Sequence, residues 1–599
     1  MGRDRIKMGK PIDITNLIES HSLASEIALH WQTWDDAYGK WLADKADTVK
    51  YLTATKTDST EVGSLPWKNN TTLPKLTQIA DNLHANYMSA LFPNSKWLDW
   101  RGANANDEVA AKREASLAYT RNMLEQSKYR ATVSELVRDW VWFGNCFAMP
   151  VYESNKIKGT DGVVSNGYIG SKALRISPYD IRFNILASDF ESTPKIIRSI
   201  KTLGELKRDI ELKPEMKYLE EVFTQMMENR RKVGAITLSK SDTIKTNQLQ
   251  IDGFGSIEKY YETGYVEILD FYGDIYEKST GTLHMNQLIS VVDRTLVIRK
   301  IDNPSWLGRP PIYHCGWRLR PDNLMAMSPL DNIVGIQYTI DKLHNSISDV
   351  LDQNIHPMKK IIGMVEPFEH CPGGEINIPD QGDVQYLRPD MSALSVYQQI
   401  PYLEQKMEEF AGAPRQAMGF RTPGEKTKFE VQVLEGGSSR IFLNKASYFE
   451  EVFSERLIND MYATDVRLMP DSVLLRLESP YFNAGVFKEI KKEDISATGW
   501  LRPIGARHIA EKANQLQELI QINNASQDPA IRPHVSGKAV AKLIWELAGY
   551  DTGSIVKDNI LVTEQLETAQ MQAAAKQTFA ETEAVGVPEG TTEEIVVNG

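Results

Sequence analysis

The stretch Gly419 to Thr427, "GFRTPGEKT", brings glycine, lysine and threonine together at almost the spacing of a phosphate-binding loop. That loop needs a glycine, four residues, a second glycine, then lysine and serine or threonine. Its backbone N–H groups wrap the phosphates, and the lysine must follow the second glycine directly to reach back into that nest. Here Glu425 stands between Gly424 and Lys426. The inserted residue breaks the register and puts negative charge where phosphate would sit. A phosphate loop also follows a buried strand, whereas this stretch follows the charged, amphipathic "LEQKMEEFAGAP", and no apolar run ending in aspartate offers a metal-binding partner strand. Nucleotide chemistry is disfavoured. What remains is basic content, Arg415, Arg421, Lys426 and Lys428, in a chain that is otherwise acidic. On a loop between helices, such residues can touch a phosphate backbone without reading sequence.

The other residues with chemical potential are scattered. His356, His370 and Cys371 lack the tight spacing of a metal set. Cys146 lies in the apolar "WVWFGNCFAMPVY" and reads as a core residue, and Cys315 has no catalytic setting. Glu408 and Glu409 share a helical stretch with no convergent partner and read as solvated carboxylates. "YHCGWRLRPD", Tyr313 to Asp322, combines aromatics with arginines as a base-stacking surface would, but Trp317 reads more simply as a core anchor before a helix. No catalytic constellation emerges, so neither an enzyme nor a cofactor is expected.

At 599 residues and 42% hydrophobic, the chain can bury a large core and is too long for one domain. The formal net charge of −12 excludes a protein that coats nucleic acid by neutralising phosphates, so any DNA contact must be local or sliding. Three widely spaced cysteines make neither a disulfide framework nor a zinc set, which suits a reducing compartment. "WVWFGNCFAMPVY" falls well short of the ~20 residues that span a bilayer. The basic N-terminus, "MGRDRIKMGKPIDITN", lacks the apolar segment of a secretory signal. The expected setting is the cytosol, without a membrane.

The elements that would position these residues are mostly helical. "SHSLASEIALHWQTWDDAYGKWLADKADTVKYLTA" and "ANDEVAAKREASLAYTRNMLEQSKYRATVSELVRDWVWFG" space apolar residues by three and four, as amphipathic helices do, with a turn-rich entry to a further helix between them. Residues 260–301 carry short β-branched and aromatic runs separated by turn residues, which predicts a small antiparallel sheet. Residues 328–354 open on Ser328, Pro329 and Asp331, a helix-start signature, and continue with Leu330, Ile333, Ile336, Ile340, Leu343, Ile347 and Val350 on one stripe. Asp341, Asp349 and Asp352 fall on other faces of this helix, roughly 40 Å long. About 35 residues of short strand and Gly/Pro turn follow, then a second helix running to "YLEQKMEEFAG": helix out, compact tip, helix back. Thr427 and Glu430 are spaced as a capping box for a long helix that Gly436 and Gly437 should kink. Residues 472–500 read as short strands, and from Ala506 the chain is helical again. An acidic tail from Glu581 reads as disordered.

Taken in order, several stretches resemble the portal proteins of tailed bacteriophages, the head-to-tail connectors. They are "ISPYDIRFN" followed by "STPKIIRSIKTLGELK"; "IDNPSWLGRPPIYHCGWRLRPDNLMAMSPLDNIVGIQYTID"; the helix, tip, helix excursion; and "AGAPRQAMGFRTPGEKTKFEVQVLEGG" before a long helix. The resemblance covers roughly residues 70–520. It implies an α+β, mostly helical fold: a wing in 1–327, stem helices at 328–354 and 393–413, and a small α/β clip in 355–392. A candidate tunnel loop in 414–427 follows, then a kinked helix and strands returning to the wing in 428–505, a helical crown in 506–580 and the tail in 581–599. Pro401 departs from an uninterrupted second stem helix and implies that this helix begins or bends nearby.

The implied function is a homo-oligomeric ring, usually of about twelve subunits, at one capsid vertex of the virion, made in the host cytoplasm. Double-stranded DNA passes through its channel during packaging and ejection. Implied partners are the terminase motor, head-tail adaptor and tail proteins, and the major capsid and scaffolding proteins. Arg415, Arg421, Lys426 and Lys428 become candidate channel contacts, although residues 495–506 form another loop that can face the lumen. Lys359, Lys360, Glu366, Glu369, Asp380 and Asp383 become candidate docking residues of the clip. Two alternatives are a nucleic-acid-dependent NTPase using residues 419–427 and a virion scaffold or adaptor without a channel.

Overall fold

The computed structural model describes residues 11–53, 69, 71–93, 97–102, 110–158, 164–213, 216–232, 240–251, 265–363, 382–387, 391–411, 441–468, 472–478, 485–491 and 499–505. The chain divides into two compact units, Met1–Arg507 and His508–Gly599. All described residues belong to the first, so the predicted crown and tail lie outside them, as do the capping box at Thr427 and the glycine pair at 436–437.

Helix and strand are mixed throughout. Strand β1 (Ile12–Ile14) leads into helices α1 (Ser20–Leu52) and α2 (Lys75–Leu91), then β2 (Leu98–Arg101), α3 (Ala110–Gln126) and α4 (Tyr129–Phe143). Strands β3 (Asn145–Lys158), β4 (Val164–Ile176), β5 (Ile181–Phe183) and β6 (Lys195–Thr202) follow, then helices α5 (Leu203–Leu212), α6 (Glu220–Lys232) and α7 (Lys240–Ile251). The middle of the unit is β7 (Tyr265–Glu277), β8 (Thr282–Val292), β9 (Leu296–Asp302), β10 (Tyr313–Gly316), β11 (Arg318–Arg320) and β12 (Asn323–Met327). The excursion comprises α8 (Val334–Ile355), β13 (Met358–Ile362), β14 (Asp383–Leu387), a 3₁₀ segment (Met391–Gln398) and α9 (Gln399–Ala411). Helical residues 441–449, a π-helical turn (Glu450–Ser454), α10 (Glu455–Leu468), β15 (Ser472–Glu478), β16 (Gly485–Lys491) and β17 (Trp500–Pro503) complete it.

The meander expected over 260–301 is β7–β8–β9. Its sheet is wider than the sequence implied: the order is β5-β6-β7-β8-β9, and β1 pairs in parallel with β7. Helix α1 covers this sheet with a stripe at three- and four-residue spacing. Leu23, Ile27 and Trp31 pack with Leu269, Phe271 and Ile289, while Tyr38 and Leu42 join Phe147, Ile176 and Phe183. A second sheet, β10-β3-β4, stands beside α4. The junction from α4 to β3 depends on Gly144, whose φ is +76° and where a Cβ would lie 2.5 Å from the Met327 backbone. Glycine alone meets both conditions.

The largest apolar cluster joins α2, α4 and residues 446–466 to the bases of α8 and α9, through Leu136, Trp140, Phe449, Phe453, Ile340 and Met407 among others. It is the platform from which the excursion leaves. The helical stretch read over 105–144 is divided in two at Lys128, which takes a left-handed φ of +54° before α4.

Two local expectations need correction. The signature at Ser328 closes a turn, not the first turn of the long helix. The Ser328 hydroxyl accepts from the Leu330 amide at 3.0 Å, and the Asp331 carboxylate accepts from the Ser328 amide at 2.9 Å. Leu330 and Ile333 are fully buried here, and Lys45 of α1 is salt-bridged to Asp331, so tertiary packing holds the turn and α8 starts at Val334. Trp317 is indeed buried, its Nε1 donating to the Tyr87 hydroxyl at 3.3 Å, but the β11–β12 hairpin follows it, not a helix.

Candidate assembly surface

Helix α8 grades from core to solvent along its length. Gln337, Ile340, Asp341 and Asn345 are buried, whereas Leu351, Asp352 and Ile355 are exposed. At 1.5 Å per residue it carries the chain about 33 Å from the platform. The β13–β14 ribbon follows, in register from Met358↔Leu387 to Ile362↔Asp383. The chain returns through α9, which begins at Gln399 with Pro401 in its first turn, where a missing N–H costs nothing.

This excursion is apolar on its outside. Eleven of the twenty-six exposed large apolar side chains among the described residues lie between Tyr338 and Phe410. On the ribbon, Met358 is 70% exposed, with Ile361, Ile362, Tyr386 and Leu387 beside it. On the helices, Tyr338, Leu351 and Ile355 of α8 and Tyr402 and Phe410 of α9 are also exposed. Scattered surface apolars are ordinary, whereas a concentration of them on one excursion is the pattern that interaction surfaces share.

The excursion is tied to the body by a row of polar side chains on α8, of which Gln337, Asp341 and Asn345 are buried. Asp341 is fully buried and accepts from the Leu73 amide at 3.0 Å. One turn earlier, Gln337 donates to the Leu73 carbonyl at 2.7 Å and accepts from the Leu76 amide at 3.2 Å. One turn later, Asn345 accepts from the Thr71 amide at 2.8 Å and donates to its carbonyl at 3.0 Å. Asp349 then accepts from the Asn69 amide at 2.6 Å, and Asp352 from the Asn69 side chain at 2.6 Å. Asn69, Thr71 and Leu73, alternate residues of the chain, thus meet successive turns of α8, four helical residues apart or about 6 Å.

Burial pushes the Asp341 carboxyl up to about 6, against the opposing hydrogen bonds from Leu73 and Gln337, and its Oδ2 is buried without a donor. Glu408 departs from the solvated reading. It is buried and salt-bridged to Lys75 of α2 at 2.6 Å, while Glu409 is exposed and pairs with Lys406 at 2.8 Å. Sequence spacing carries a trace of the row but not of Glu408: Gln337, Asp341, Asn345 and Asp349 recur every fourth residue.

The candidate residues fall unevenly. Lys359 and Lys360 lie on β13, opposite Tyr386 and Gln385, and Asp383 opens β14, where it accepts from Gln385 at 2.8 Å. Glu366, Glu369 and Asp380 lie outside the described residues, as do Arg415, Arg421, Lys426 and Lys428 and the whole of residues 419–427. His356 follows α8 at an exposed position, and His370 and Cys371 are outside the described residues. Among the described residues no group of three or more His, Cys, Asp or Glu side chains is placed to hold a metal. Nor, among them, is any helix long and apolar enough to cross a membrane.

A scan against protein-family models and a search of curated proteins found no match to this sequence.

Proposed function

We propose that this chain is the repeating subunit of a ring assembled through the α8–α9 excursion, and that the ring is a phage portal through which double-stranded DNA passes. The observation that carries the reading is the concentration of exposed large apolar side chains on that excursion. A two-stranded ribbon is marginal alone, and its unpaired edges invite a neighbouring chain. A head-to-tail contact, in which the exposed residues of α8 on one subunit meet those of α9 on the next, generates a ring when its rotation closes.

Charge supports the same reading. Leaving aside the buried Asp341 and Glu408, Asp349 and Asp352 outweigh Lys342 across α8, and Glu404 and Glu409 outweigh Lys406 across α9. An acidic wall repels the duplex and lets it slide. In this reading Arg415, Arg421, Lys426 and Lys428 supply transient phosphate contacts. Lys359, Lys360 and Asp383 belong to the face that docks the packaging motor and the tail adaptor.

The test is size-exclusion chromatography with light scattering, followed by class averages of negatively stained particles. Rings with an open centre are expected, and a variant carrying Met358→Glu and Ile361→Glu should run as folded monomer. Wild-type protein that stays monomeric or dimeric at every concentration would overturn the proposal, and a compact oligomer without a channel would replace it with a scaffold or adaptor.

A further inference from the structure

The chain has three cysteines, and two of them, 169 residues apart in sequence, face each other across the edge of a sheet. Cys315 of β10 is the register partner of Cys146 of β3. Both are buried and both thiols are free. The Cys146 Sγ lies 3.7 Å from the Cys315 carbonyl oxygen.

The ladder fixes the kind of pair they make. The Trp317 amide donates to the Gly144 carbonyl at 2.8 Å, two residues along each strand. Antiparallel pairs alternate between two types, so Cys146 and Cys315 share the hydrogen-bonded type, with Cα atoms about 5.5 Å apart. That separation lies inside the range of about 4.4–6.8 Å that a disulfide bridges.

We infer that Cys146 and Cys315 form a latent, reversible cross-strand disulfide that closes when the protein meets an external disulfide. The exchange balances in two steps. One cysteine thiolate attacks the external disulfide, releasing one small thiol and leaving a mixed disulfide on the protein. The facing thiolate then attacks the protein sulfur of that bond and expels the second small thiol. Two cysteines are oxidised and one external disulfide is reduced.

The surroundings make this a gated step. Burial raises the Cys146 thiol well above its ordinary range, which suppresses the attacking thiolate while the sheet is closed. The element that must open is β10, four residues long at the edge of the β10-β3-β4 sheet. Tyr313 and Cys315 of this strand lie in the largest apolar cluster, so the opening is a local unfolding step that mild denaturant promotes. A hydrogen-bonded pair holds its side chains farther apart than the alternate type, so the closed bond is strained and readily reduced. Once closed, it ties β3 to the strand that feeds β11, β12 and α8. The inference stands apart from the ring reading.

The test treats the full chain with oxidised glutathione in urea just below the unfolding transition, quenches by alkylation and maps the peptides without reduction. Alkylatable thiols should fall from three to one, with the Cys146 peptide linked to the Cys315 peptide, and dithiothreitol should restore three. Cys371→Ser should keep that link and Cys315→Ser should abolish it. Three thiols remaining after prolonged exposure, stable glutathione adducts on Cys146 or Cys315, or links to Cys371 would overturn the inference.

Discussion

In the six-stranded sheet, charge is buried and answered within the chain; on the α8–α9 excursion, apolar surface is left uncovered. Arg182 of β5 is fully buried over the rings of Trp31 and Tyr38, at 5.2 and 4.9 Å from their centroids, and pairs with Asp35 of α1 at 2.7 Å. Arg198 and Arg294 share Glu267 at 2.6 and 2.7 Å, and Arg299 meets Asp270 at 2.8 Å. Buried ions tolerate such sites only when every partner is in place. The buried charges of the sheet are therefore answered within one chain. Among the described residues the excursion is tied to the body along the row from Gln337 to Asp352 and through Glu408, and it presents Ile355, Met358 and Tyr402 outward. One region is finished by folding; the other, in the proposed ring, would be finished by assembly.

The largest break in this contrast should come from the sheet. Arg182→Ala leaves the Asp35 carboxylate buried beside two aromatic rings, and should cost about 3–5 kcal/mol in urea unfolding. A loss under about 1 kcal/mol would mean that solvent reaches the site and that the sheet is not self-sufficient. At the root of the excursion, Glu408→Ala strands the Lys75 ammonium and should cost about 1.5–3 kcal/mol. Restoring the charge balance with Lys75→Met in the same chain should recover most of it.

Asp341→Asn sharpens the comparison in the opposite direction. Asparagine keeps an acceptor for the Leu73 amide and removes a buried charge, so stability at pH 7 should rise by on the order of 1–3 kcal/mol. The pH dependence carries the same signature. The Asp341 carboxyl is raised from 3.8 to about 6 by burial, so the native state binds the extra proton and this group's contribution to stability grows as pH falls from 7 toward 4. Asp341→Asn should flatten that part of the profile. An unchanged profile would place the titration elsewhere, for example at Asp460 or Asp465, both also raised to about 6 by burial. His314 works the other way: burial lowers it to about 3, so its contribution is lost as pH drops from 6.5 toward 3. The smallest stability change, within about 0.5 kcal/mol, is expected for Met358→Glu with Ile361→Glu, because both side chains already face solvent.

The parts of this fold legible in the sequence are those written over short distances. The three- and four-residue spacing of α1 and α8 and the β-branched runs of β7, β8 and β9 each report a local period. The parallel pairing of β1 with β7 left no such trace, because its register joins Ile12 to Ile275. The same distance hid the polar row. A carboxylate at Asp341 looks solvated on a helical wheel until the Leu73 amide, 268 residues earlier, is laid against it. Glu408 was hidden likewise, its partner Lys75 lying 333 residues away. At Ser328 the capping chemistry was read correctly and its place was not. The reciprocal bonds form, but the buried Leu330 and Ile333 hold that segment as a turn.

The row on α8 also has a mechanical meaning. Thr71 and Leu73 are held through main-chain atoms, two residues of chain to each turn of helix. Such a coupling works as a rack meshed with a gear whose teeth are amide groups. A twist imposed at the far end of α8 is handed to the residues leading into α2 as a linear pull, whatever side chains those residues carry.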